Sequence, residues 1–195
     1  MKEKTPEGFL YDVQTMGFFD EHEYVVSECD KALHLMFSWE DKQKKSELLT
    51  HKAYSLLQLD RIADAEESID QALELNKGNA LAHQVRAEIL HDLERFDEAL
   101  KTYQKCEEVM DWENIDDIEF SKADVLSHLG KHEEALEIYR KFLKVNESDV
   151  DAYWGVSDEL SELGKNEEAL EIVNKGLELK MRHDMNVCKA YRDYE

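Results

Sequence analysis

A ten-residue segment, Leu129 to Ile138 (LGKHEEALEI), returns 34 residues later as Leu163 to Ile172 (LGKNEEALEI), with one change from His132 to Asn166. Self-similarity this close at that period indicates a repeat solenoid, in which small units stack and share one core. Gly130 and Gly164 favour turns, and the glutamate pairs that follow favour helix N-termini. The segment therefore predicts helix–turn–helix units.

The same unit can be followed along the chain because small and large residues recur in columns at helical spacing. Small residues lie in the middle of each first helix, leucine follows one turn later, alanine lies early in each second helix, and an aromatic or aliphatic residue comes after it. These columns are Ala53, Ala87, Ala123 and Ser157; Leu56, Leu90, Leu126 and Leu160; Ala65, Ala99, Ala135 and Ala169; and Ile69, Tyr103, Tyr139 and Val173.

A 34-residue unit with these columns resembles the tetratricopeptide repeat (TPR). The resemblance implies an all-α, right-handed superhelical solenoid of about five repeats with a C-terminal capping helix. We expect one domain over 1–195, with repeats at 7–39 (degenerate), 46–79, 80–113, 116–149 and 150–183 and a cap at 184–195. Ser46 is the expected N-cap of the second repeat, and EDKQKK (40–45) is either a linker or extra helical turns.

Composition restricts the partners. The sequence has 24 Lys and Arg and 46 Asp and Glu, which gives a formal charge of −22. Nucleic acid and anionic membranes are therefore disfavoured as partners, and a basic protein segment is favoured. The alternative is that the charge only keeps the chain soluble. No secretory signal or membrane span is recognised, and three distant cysteines without a CxxC motif favour a reduced, cytoplasmic chain. Cys29 and Cys106 are expected in the core.

In the family that this sequence resembles, the first helices of successive repeats line a concave groove that binds ligands. Aromatic and acidic residues recur on the corresponding helix faces, a combination that suits a segment bearing Lys or Arg. Phe120 and Trp154 are expected to be neighbours across adjacent repeats. The predicted ligand-binding groove contains Tyr54, Gln84, Glu88, Phe120, Asp124, Trp154 and Asp158. The alternative is that Trp154 only packs and that the acids form a solvated face.

One subgroup of the family grips a C-terminal carboxylate with Lys and Asn or Arg in the groove. The matching places here lack that set, so the resemblance disfavours a co-chaperone role. They hold Thr50, Tyr54, Leu81, Val85, Asp117 and Ser121.

Lys52, Arg86 and Lys122 share one column near the centre of the apolar arc, where the family usually has leucine. A buried cation without a partner is costly, so partners are expected. Arg86 is predicted to pair with Glu107, and Lys122 with Glu119. The alternative for this column is an internal anionic site.

No catalytic motif, metal site or cofactor site is recognised, since the histidines are scattered and P-loop, GxGxxG and GxSxG patterns are absent. The sequence favours a non-enzymatic scaffold that binds a peptide or protein segment, with no cofactor and no metal. The alternatives are a self-associating structural protein, for instance a homodimer, or a small acidic chaperone for another protein.

Overall fold

The computed structural model describes residues 6–17, 21–35, 41–109 and 115–192, which fall into two compact units, unit 1 (Met1–Ile115) and unit 2 (Asp116–Glu195). The described residues form helices and no strands, which confirms the all-α helical-repeat prediction. The single domain predicted over 1–195 stays a prediction. The helices are α1 Pro6–Gly17, α2 His22–Leu35, α3 Lys42–Gln58, α4 Ile62–Leu75, α5 Ala80–Asp92, α6 Phe96–Val109, α7 Ile115–His128, α8 His132–Val145, α9 Val150–Glu162 and α10 Asn166–Arg192.

Four of the turns within repeats have the same backbone design. In each, one residue has positive φ, and the next residue donates its N–H to a carbonyl five residues back, which closes the end of the first helix. Glycine takes that place in unit 2, whereas unit 1 uses acidic residues. The residues are Asp60 (φ 58°), Glu94 (φ 56°), Gly130 (φ 71°) and Gly164 (φ 74°).

The joins between repeats are closed by asparagine and aspartate rather than proline. Asn79 caps α5 by accepting from the Ala82 N–H at 3.1 Å, and its amide donates to Ser46 Oγ at 2.9 Å and Thr50 Oγ1 at 3.1 Å on α3. Asp149 caps α9 in the same way. One side chain thus caps α5 and ties the join to α3 of the preceding helix pair.

Ser46 was wrongly predicted as the N-cap of α3. The helix begins at Lys42, and Asp41 caps it by accepting from the Lys44 N–H at 3.1 Å. Ser46 is instead buried inside the helix, where its hydroxyl donates to the Ala72 carbonyl at 2.8 Å. The described part of EDKQKK therefore supplies helical turns and not a linker.

The core of unit 1 consists of two apolar clusters that follow the predicted columns. Ala53, Ala65, Ile69 and their neighbours on α3 and α4 form one cluster, and α1 and α2 form the other with Leu48. Small residues let the helices of a pair approach closely, and larger ones fill the space between them. Both cysteines predicted in the core are buried. Burial raises the pKa of Cys29 to about 12 and that of Cys106 to about 11.

In unit 2 two glycines permit close helix contacts. A Cβ added to Gly155 of α9 would lie 2.8 Å from the ring of Tyr139 on α8, and one added to Gly176 of α10 would lie 2.9 Å from Tyr153 Cβ on α9. Both distances are too short for a real Cβ atom. Glycine is therefore required where these neighbouring helices meet.

The cation column is paired with the preceding repeat. Lys52 lies 2.6 Å from Asp30 of α2, and Arg86 donates to Asp70 of α4 at 2.6 Å. The sequence had suggested Glu107 of α6 for Arg86, whereas the structure gives Asp70. The pairing predicted for Lys122 stays a prediction.

The predicted capping segment continues α10 to Arg192 and does not form a helix of its own. The connection between α1 and α2 lies partly outside the described residues, and the connection between α6 and α7 lies wholly outside them.

Candidate functional site

An apolar cavity of about 290 Å³ lies along the first helices of unit 1. These helices, α1, α3 and α5, pack side by side, so residues at helical spacing on each of them face a shared space. We call this space the apolar cavity. Its lining residues are Val13 and Gln14 of α1, Val25 of α2, His51, Tyr54 and Ser55 of α3, and Leu81 and Val85 of α5.

Among the residues that the structure describes, the walls of the apolar cavity carry no Asp, Glu, Lys or Arg. Val25 and Val85 are 1% exposed, whereas Tyr54 and Leu81 are 39% and 43% exposed, so apolar surface remains open to a ligand. Burial lowers the pKa of His51, which keeps its imidazole neutral near pH 7. The chemistry of this cavity fits an aliphatic or aromatic side chain.

Of the predicted groove residues of unit 1, Tyr54 lines the apolar cavity. Its ring also lies edge-on to His22, with centroids 6.1 Å apart. Gln84 and Glu88 lie on α5 on either side of Val85, and the Gln84 amide donates to Glu88 Oε1 at 3.1 Å. Burial raises the pKa of Glu88, and the charge of Asp92 adds to the effect. The structure thus brings two of the predicted polar residues together next to the cavity wall.

In unit 2 Phe120 packs within its own repeat. Its ring is edge-on to Tyr139 and Phe142 of α8, at centroid distances of 5.1 and 5.2 Å, and the side chain is half-buried. These contacts give Phe120 a structural role beside any role in binding. Trp154 of α9 is half-buried, next to the glycine that packs on Tyr139.

Several acidic residues of unit 2 affect the pKa of the Tyr139 hydroxyl. Burial raises the pKa of its hydroxyl, and the charges of Asp124, Glu159 and Asp158 raise it further. Asp158 is exposed, and its own pKa is raised by desolvation and then by Glu159 and Glu162. Of the groove residues predicted in unit 2, Phe120 thus contacts Tyr139, and Asp124 and Asp158 act on its hydroxyl through their charge.

Sequence reasoning missed most of the lining of the apolar cavity. Val13 and Val25 belong to the degenerate first repeat, and His51 is one histidine among eight. A signal was present nevertheless. Tyr54, Leu81 and Val85 fall where the carboxylate-binding subgroup places polar groups, and apolar residues at those three places indicate an apolar site.

None of the helices within the described ranges is long and apolar enough to cross a membrane. A tetratricopeptide repeat profile matches residues 51–108, and a second profile of the same family matches residues 120–149 and 150–181. No curated protein matches the chain.

Several solved structures share the fold. The crystal structure of MamA superposes with a TM-score of 0.70 at 17% identity, covering 95% of this chain and 99% of that one. YrrB, described as a TPR protein with an unusual peptide-binding site, gives 0.69 at 18% identity over 96% and 93%. A Podosopora anserina putative kinesin light chain with nearly identical TPR-like repeats gives 0.74 at 10% identity over 93% and 99%. The repeat period, the helix pairs and the matching profiles show that the chain belongs to the tetratricopeptide repeat family, whose repeats serve as scaffolds for protein–protein interaction.

Proposed function

We propose that this chain is a non-enzymatic adaptor that holds an extended segment of a partner protein along the first helices of its repeats. The observation that carries the proposal is the apolar cavity of about 290 Å³ on α1, α3 and α5. An open cavity with partly exposed Tyr54 and Leu81 at its walls suits one anchoring side chain of the partner. The anchor is aliphatic or aromatic, because none of the described wall residues is an Asp, Glu, Lys or Arg that could pair with a charged side chain.

Electrostatics supports Lys or Arg beside that anchor. The chain carries a formal charge of −22, and Glu88 lies one turn of α5 beyond Gln84, next to the cavity wall. A half-buried carboxylate gains more from a nearby cation than a fully solvated one does, since the local dielectric constant is lower. Attraction by the whole chain also speeds the encounter with a basic segment.

The residues of unit 2 provide a second contact surface in this proposal. Trp154 offers a ring face for cation–π contact, and Asp124 and Asp158 offer carboxylates for hydrogen bonds to Lys or Arg. Phe120 supports this surface by holding Tyr139. The predicted groove residues of both units thus keep their proposed roles, with Phe120 acting through its packing.

Selection of peptides from a random display library on the full-length chain tests the proposal. We expect enriched sequences to contain one large apolar residue next to Lys or Arg. Leu81→Ser removes a partly exposed wall of the cavity and should weaken a selected peptide by about tenfold, or roughly 1.4 kcal/mol. Leu170→Ser is the matched control, because Leu170 is 62% exposed on α10 and does not line the apolar cavity. Equal affinities for the two variants would refute the assignment of the cavity.

Glu88→Gln gives opposite effects on stability and on binding. A raised pKa means that the fold favours the protonated carboxyl. Glu88 therefore stabilises the fold fully below its ordinary pKa, and this stabilisation is lost as pH rises through the raised pKa. Glutamine mimics the protonated form and still accepts from Gln84. We expect a higher Tm at pH 7, no difference near about pH 4, and weaker binding of a basic peptide. A variant that binds as well as wild type would exclude Glu88 from the site.

For the contact surface of unit 2, Trp154→Ala should weaken binding of a selected basic peptide and leave the helical circular dichroism unchanged, whereas Phe120→Ala should also lower Tm because Tyr139 and Phe142 lose a packed ring. Self-association stays a prediction of the sequence, and a molar mass by light scattering that rises with concentration would support it.

A further inference from the structure

A second cavity, of about 260 Å³, lies between α4, α5 and α6 and shares no lining residue with the apolar cavity. It is cationic in a strongly acidic chain. Its lining residues are Leu73, His83, Arg86, Leu90, Glu98, Lys101, Thr102 and Lys105. We call it the cationic cavity.

The acids near the cationic cavity are already engaged. Both oxygens of Glu98 accept from Arg95, at 2.8 Å from Nε and 2.7 Å from Nη2. Asp70 accepts from one nitrogen of Arg86, whose guanidinium has four further N–H donors. Within the ranges that the structure describes, the Lys101 and Lys105 ammonium groups make no salt bridge or hydrogen bond. Lys101 and Arg86 both attract Glu98 electrostatically, but the three cations in the lining, Arg86, Lys101 and Lys105, outnumber its one carboxylate.

The preceding repeat contains the equivalent cavity and serves as an internal comparison. That cavity, of about 200 Å³, is lined by Lys52, Asp64, Glu67, Ser68 and Gln71 among others. Each of these residues lies 34 positions before its counterpart in the cationic cavity. The repeat fold thus produces the cavity in both places, and the chemical change is from Glu67 and Gln71 to Lys101 and Lys105.

His83 places a polar ring in the wall of the cationic cavity. The preceding repeat has the buried Leu49 at this place, so a polar ring has replaced an apolar core residue. His83 Nε2 bonds to the Lys77 carbonyl at 2.9 Å, whereas Nδ1 is buried without a hydrogen-bond partner. Nε2 donates to that carbonyl, so His83 adds polar surface to the wall, while the positive charge of the cavity comes from Arg86, Lys101 and Lys105.

We propose that the cationic cavity binds a phosphate-type oxyanion. Arg86 offers a planar fork that matches two oxygens of the anion, and Lys101 and Lys105 add point charges from the opposite helix. This site is independent of the adaptor function, because the two cavities share no lining residue.

Calorimetric titration of the full chain with inorganic phosphate, at constant ionic strength set by chloride, tests the proposal. We expect saturable binding at one site. The double variant K101E/K105Q gives the cavity the residues of the preceding repeat and should weaken phosphate binding by at least about tenfold. The control K180E/K175Q makes the same charge change on exposed positions of α10 and should bind as wild type does. Circular dichroism and thermal unfolding confirm that each variant is folded.

The reverse exchange sharpens the test. E67K/Q71K should create a second phosphate site in the preceding repeat and raise the stoichiometry from one towards two. Titration with O-phosphoserine distinguishes the sources, since tighter binding than that of inorganic phosphate indicates a phosphorylated side chain and equal or weaker binding indicates the free ion. The proposal is overturned if wild type shows no saturable phosphate binding, or if K101E/K105Q binds as tightly as K180E/K175Q.

Discussion

Glu159 of α9 is a carboxylate that is only 2% exposed, and its Oε2 lies 2.8 Å from Nδ1 of His132. His132 is also the residue at which LGKHEEALEI differs from its later copy. Seventy positions earlier in the chain, the equivalent residues are Ile62 and Ile89, which belong to one apolar cluster. Unit 2 therefore has a polar pair where unit 1 has an apolar contact.

This difference predicts how substitutions at the pair combine. His132→Ile alone leaves Glu159 buried without its partner and should lower the free energy of unfolding by about 3 kcal/mol. H132I/E159I restores the apolar contact of unit 1 and should be at least as stable as wild type. Urea unfolding followed by circular dichroism measures both. A single variant as stable as wild type would show that the pair contributes nothing.

Residue-level partners were the hardest feature to predict. The columns correctly indicated that Arg86 needs a partner, but the side chain is 36% exposed and not buried in an apolar arc. Its partner proved to be Asp70 and not Glu107, because periodicity within a repeat does not reveal how one repeat slides along the next. For the same reason, the equivalent pair of Lys52 and Asp30 could not be predicted from the sequence.

At the scale of elements, the turns within repeats differ between the units. Asp60 and Glu94 occupy the left-handed region that glycine occupies in unit 2, and a side chain there costs about 1–2 kcal/mol. Glu94→Gly should therefore raise the free energy of unfolding by about 1 kcal/mol, while Glu94→Ala should not. Gly130→Ala should be destabilising by a similar amount. Chemical denaturation measures these changes, provided that the free energy of unfolding depends equally on denaturant concentration in each variant. Equal effects of Gly and Ala at position 94 would contradict the conformational explanation.

The pairing of helices within each repeat could be predicted from the sequence, because alanine recurs where the second helix packs on the first. Ala65, Ala99 and Ala135 are fully buried, and Ala169 is 6% exposed. The apolar cavity could not be predicted in the same way, since residues of four helices line it and two of these helices, α1 and α2, belong to the degenerate first repeat. The sequence analysis also predicted a separate capping helix where α10 continues. The absence of glycine and proline from Arg182 to Arg192 favours that continuation.

At the scale of the whole molecule, a charge of −22 acts on stability and binding in opposite directions. Repulsion among the acids opposes the compact state, and salt screens it over a Debye length of about 10 Å at 0.1 M. The exposed ion pairs that salt also weakens contribute little. We expect Tm to rise as sodium chloride increases from low concentration, while the affinity for a basic peptide falls. Potassium chloride should give the same curves, and a Tm that falls with salt would contradict the dominance of self-repulsion.

The alternation of Asp30 with Lys52 and of Asp70 with Arg86 makes the repeats of unit 1 interchangeable at their edges. The second repeat (46–79) presents Lys52 to the repeat before it and Asp70 to the repeat after it. If residues 46–79 were duplicated in tandem, the new lysine would meet the original Asp70, and the new aspartate would meet Arg86. The array could thus be lengthened by one module without leaving a charge unmatched, which makes this chain a natural starting point for engineering extended binding proteins.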